Sequence, residues 1–99
     1  MRTREMYFSH YGITKAESKE LLKKATFPEN RELVKRAAEM ANPMLEDSLI
    51  LSMSENLSYD KVDRRMCIWI KNDDFYGYRR KALYYFKQML IDQKGVDDE

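Results

Sequence analysis

From Thr14 onward, apolar residues recur at the three- and four-residue spacing of helices, and no stretch alternates apolar with polar as a half-buried strand requires. The pattern predicts an all-α chain. Thr14 with Glu17 three residues later has capping-box spacing, and a first long helix carries Leu21, Leu22 and Ala25 inward with Ile13 ahead of the cap. Thr26 and Glu29 repeat the spacing, and a second helix beginning near Pro28 aligns Leu33, Val34, Ala37, Ala38 and Ala41, whose small residues allow another helix to approach closely. Asn42 and Pro43 stop it and open a third helix to about Ser54. Met44, Leu45, Leu49, Ile50, Leu51 and Met53 cover much of that helix's circumference, so it is expected to be central. Ser58 caps a short helix with Tyr59, Val62 and Met66 on one face, and the apolar run from Cys67 to Lys71 predicts a buried connection with Trp69 as a core plug and Cys67 as a small buried hydrophobe. Asn72, Asp73 and Asp74 cap a last helix running to about Gln93. A short helix near Arg4 to His10, ended by Gly12, is expected at the start.

On the last helix, Phe75, Tyr78, Ala82, Phe86 and Met89 gather on one side, flanked by Leu83, Tyr85 and Leu90. Asp73, Gly77, Arg80, Tyr84 and Gln88 fall opposite, with Lys81 and Lys87 at the borders, predicting a solvent face or a binding face. Tyr84, an aromatic on that polar face, has the character of an interface anchor. Arg79 falls inward, where a carboxylate of the short helix such as Asp63 would pair with it.

At 99 residues the chain fits one domain, taken as 1–94 with a helix-turn-helix-like unit over 57–91 and an acidic flexible tail over 95–99. The opening Met-Arg-Thr-Arg has no apolar signal segment behind it, the single cysteine excludes an internal disulfide, and no apolar stretch approaches bilayer length, so a cytoplasmic protein without membrane contact is expected. One histidine, one cysteine and three glycines leave too little material for most catalytic or cofactor signatures, so neither an enzyme nor a metal or cofactor protein is expected. The formal charge is only +1, yet Ser58 to Leu90 holds eight basic and four acidic residues, which places −3 on the rest. Such a concentrated positive field suits phosphate backbones, although a charge surplus of this size is also what a solvated helix face carries.

The run LSYDKVDRRM, an Ile, and then DFYGYRRKAL resembles the helix-turn-helix of the fourth region of bacterial sigma factors. It is also similar to the C-terminal part of phage late-operon activators of the ArpU and RinA kind. The opening MRTREMYFSHYGI together with the DFYGYRRKAL ending resembles a group of small prophage and mobile-element proteins of Firmicutes. The resemblance implies Tyr59, Val62 and Met66 in the core of the scaffold helix, Ile70 after the turn, and Phe75, Ala82 and Leu83 inside the recognition helix. It implies Lys71, Asn72, Asp73, Asp74, Tyr76, Gly77, Arg80 and Lys81 toward DNA. The connection departs from the pattern by two extra residues and the lack of a glycine, Asp63 replaces a small residue, and Asp73 and Asp74 would repel phosphates. Two functions follow: a DNA-binding or transcription-associated regulator of a mobile element, or a protein-binding module directed at RNA polymerase or a host factor. Both use Lys71, Asn72, Tyr76, Gly77, Arg80, Lys81, Tyr84 and Lys87, and both allow a homodimer.

Overall fold

A computed structural model describes residues 7–97, with side chains over 7–93. It is all-α, with no strand among the described residues. After a 3-10 turn at Phe8–Tyr11 come α1 (Lys15–Ala25), α2 (Arg31–Ala41), α3 (Glu46–Ser54), α4 (Tyr59–Met66) and α5 (Asn72–Asp97). The expected first helix is thus a single 3-10 turn, and its Arg4 to Met6 part lies outside the described residues. Gly12 follows the turn at φ 69°, the left-handed conformation glycine adopts without a Cβ penalty.

Local chemistry accounts for the helix boundaries, with changes from expectation where a tertiary partner competes. Thr14 Oγ1 accepts the Glu17 amide at 3.1 Å, but the Glu17 carboxylate pairs with Lys87 of α5 instead of turning back to Thr14. The second capping box does not form: the Thr26 hydroxyl donates to the Lys23 carbonyl, and a 3-10 turn at Pro28–Asn30 delays α2 to Arg31. Asn42 Oδ1 accepts the Met44 amide as expected, and a 3-10 turn at Pro43–Leu45 then leads into α3. Ser58 occupies the N-cap position of α4 without a side-chain bond; the Tyr59 amide finds the Tyr76 hydroxyl of α5 at 2.8 Å.

The centre of the molecule is α5, not α3. It packs most extensively on α2 and also touches α1, α3, α4 and the first turn. The alanine stripe of α2 explains this pairing: Val34, Ala37, Ala38 and Ala41 are buried, as are Phe75, Gly77, Ala82, Leu83 and Phe86 of α5, so the two backbones come close. From α3 the core takes Leu49 and Met53 as expected, whereas Met44 just before it is 78% exposed. The 26 residues of α5 span about 39 Å, close to the 44 Å longest dimension of the molecule. It continues beyond Gln93 to Asp97, so 95–97 of the expected tail are helical; Asp98 and Glu99 lie outside the described residues.

The chain ends in the expected helix-turn-helix-like pair. Val62 of α4 is buried, and the Tyr59 ring meets Phe75 edge-on at 5.6 Å. Met66, assigned to the same inner face, is instead 39% exposed at the end of α4.

Candidate binding surfaces

The eight residues predicted to meet DNA or a partner do not form one open face. Lys71 and Asn72 are exposed at the start of α5, beside exposed Asp73. Tyr76 is half-buried, its hydroxyl occupied by the Tyr59 amide and its ring covered by the Arg79 guanidinium at 4.8 Å. Gly77 is buried, and Arg80 and Lys81 are half-buried. The Arg80 guanidinium lies 5.1 Å from the Tyr7 ring, and Tyr84 packs on Tyr11 at 5.2 Å. Lys87 reaches the Gly12 carbonyl at 3.4 Å and Glu17 at 3.0 Å. The predicted solvent face around Gly77, Arg80, Tyr84 and Lys87 is therefore covered by residues 7–13 and the first turns of α1. Periodicity within α5 ranks its own faces by polarity, but it carries no information about a second layer supplied by aromatic residues 73 positions earlier. Beside this cover, Tyr7, Phe8, Ile13, Ser18, Lys19 and Arg80 line a depression of about 900 Å³.

The expected Arg79 partner is also different. Arg79 donates to Ser52 Oγ at 3.3 Å, and burial lowers its pKa below the ordinary arginine value. Asp63 is committed elsewhere: its Oδ1 accepts the Ile68 amide and its carbonyl accepts the Cys67 amide, both at 2.8 Å. These bonds fix a turn in which Cys67 holds φ 53°, supplying the left-handed residue that a glycine would otherwise provide. On the far side of the turn the Tyr59 hydroxyl donates to the Ile70 carbonyl at 2.6 Å.

This pinned connection is not buried. Trp69 is 66% exposed and Cys67 is exposed, while Ile68 and Ile70 are half-buried. The backbone bends at Trp69 and Ile70, and Trp69 lies exposed between two half-buried isoleucines. Around Trp69, the side chains of Pro43, Met44, Glu46, Asp47 and Met66 line a groove of about 230 Å³. Asp47 and Met66 also line an adjoining groove of about 420 Å³ with Arg31, Ile50, Leu51 and Glu55.

Among the described residues no cluster of three His, Cys, Asp or Glu could hold a metal ion, and no helix is long and apolar enough to cross a membrane. His10 is exposed, its Nδ1 accepting the Tyr7 amide at 2.8 Å. Comparison of the chain with protein-family models, curated proteins and solved structures finds no match.

Proposed function

We propose that this chain is a non-catalytic protein-binding module, working in the transcription-associated, mobile-element setting that its resemblance implies, with a partner of the RNA polymerase or host-factor kind. The observation that carries this reading is the covered face of α5. A recognition helix must lay its outward side chains in the major groove, and here Tyr7, Tyr11, Gly12 and Glu17 already occupy Arg80, Tyr84 and Lys87. Trp69 and Met44, by contrast, are exposed apolar side chains, and tryptophan in particular is enriched where interfaces draw most of their energy.

A DNA-binding reading draws on one specific observation: Lys61, Arg64 and Lys71 are exposed on α4 and the connection, leaving a cationic edge beside Asn72. Fluorescence anisotropy of labelled duplex DNA, titrated with the full chain from low to physiological salt, separates the two. Phosphate contacts give a steep negative dependence of affinity on salt. Weak binding that Arg64→Ala with Lys71→Ala leaves unchanged is expected. Tight binding with a steep salt slope, lost in that double variant, would overturn the protein-binding reading in favour of DNA.

A further inference from the structure

We infer that the paired grooves beside Trp69 receive a basic amphipathic helix of a partner protein, its apolar face on Met44, Met66 and Trp69 and its cationic residues over Glu46 and Asp47. This rests on the protein-binding reading above and names the chemistry of the partner. Four observations converge on it. The grooves hold about 230 and 420 Å³ and adjoin through Asp47 and Met66. The first is smaller than the roughly 300–1,000 Å³ of small-molecule pockets and the second lies near the lower end of that range, so they suit protruding side chains. Two such depressions sharing a wall suit successive anchors on one face of a docked helix. Their apolar walls include Met44 and Met66, whose unbranched thioethers adapt to whichever aliphatic anchor enters.

Charge selects the partner. The only charged residues lining the groove beside Trp69 are Glu46 and Asp47, and neither forms an ion pair among the described residues. The second groove adds Arg31 and Glu55, and Glu55 is already engaged by Arg65 at 3.3 Å. The lining of the Trp69 groove is therefore acidic, complementary to lysine or arginine and repulsive to an acidic segment, while the exposed Arg64 and Lys71 stand outside that lining. The same charge argues against a second copy of this chain as the occupant. A two-fold dimer pairs the same patch from both copies and would crowd the two acidic rims together.

The surface is also organised before a partner arrives. Asp63 and Tyr59 pin the connection on both sides of Trp69, so little backbone ordering remains to oppose docking.

Trp69 is the sole tryptophan of the chain, which makes it a direct reporter. The full chain is titrated with a tryptophan-free synthetic helix carrying leucine on one face and lysine on the other, following Trp69 emission and its quenching by acrylamide. A blue shift and loss of most of the quenching are expected. Met44→Ala and, separately, Glu46→Gln with Asp47→Asn should weaken that response, the charge variant by about tenfold or more. Both alter exposed or half-buried side chains outside the core, and circular dichroism verifies that the fold is retained. Equal protection by a scrambled peptide of the same composition, or by the peptide with glutamate in place of lysine, would overturn the inference. So would a blue shift that appears on concentrating the protein alone, which identifies a second copy as the occupant. Solvent-like Trp69 with every peptide overturns the inference and leaves the protein-binding reading standing, provided duplex DNA still gives no steep salt slope.

Discussion

Ser52 is fully buried and has both sides of its hydroxyl in use, donating to the Leu57 carbonyl at 2.7 Å and accepting from Arg79 at 3.3 Å. Ser54, two residues further along the same helix, holds a buried hydroxyl oxygen without a partner among the described residues. The two serines therefore respond in opposite ways to the same substitution. Ser52→Ala strands a carbonyl and a guanidinium and should lower unfolding free energy by about 1–3 kcal/mol. Ser54→Ala removes a desolvated group that gains nothing in return and should be neutral or stabilising. Urea unfolding of the pair checks both, and equal losses would contradict the different roles of the two hydroxyls. Nothing in the sequence distinguishes these serines, because both lie within an apolar helix, and the distinguishing partners come from the turn after α3 and from α5.

At the scale of elements, the five helices were legible because spacing and caps act within a few residues. The connection between α4 and α5 was not, because its conformation depends on bonds from Asp63 and Tyr59 that an apolar count does not register. The missing glycine of the resemblance is answered here by Cys67 at φ 53°. For an L-residue that conformation costs about 1–2 kcal/mol, against the roughly 0.5–1 kcal/mol of extra chain entropy a glycine gives up on folding. Cys67→Gly should therefore stabilise the protein by up to about 1 kcal/mol, and Cys67→Val, with a branched Cβ in the same geometry, should destabilise it. Thermal unfolding of the two variants reads the sign directly; a destabilised glycine variant would mean that the cysteine side chain makes a contribution its exposed position does not suggest. The candidate site followed the same divide. Lys71 and Asn72 are exposed, as contact with DNA or a partner requires, whereas the expected free face at Tyr84 and Arg80 is covered from the opposite end of the chain, which periodicity within α5 does not register.

Two tyrosines fasten distant segments to α5, Tyr11 against Tyr84 and Tyr59 against Phe75, and both give the whole molecule an alkaline limit. Burial raises the Tyr11 phenol above its ordinary 10.0, opposed by Arg80 and reinforced by Tyr85. Loss of solvent contact likewise raises Tyr59, helped by Asp63 and Asp60. A folded-state pKa above the unfolded one means that the native state holds the proton more tightly. The stability from these groups is thus complete below about pH 10 and drains as pH climbs past it. Denaturant midpoints are expected to be level from pH 8 to about 9.5 and to fall above pH 10, with late-ionising phenols visible in an ultraviolet titration. A midpoint that stays constant through pH 11 would contradict this. The same long-range closure sets a clock on synthesis. Val34, Ala37 and Ala38 are buried and α2 packs most extensively on α5, and 45 residues separate Ala41 from Phe86. At about 5–20 residues per second the growing chain carries that apolar stripe without its partner for about 2–9 s. Throughout that interval α2 has α3 to pack on but lacks the helix it packs on most extensively, and its cover is completed only when α5 has been made.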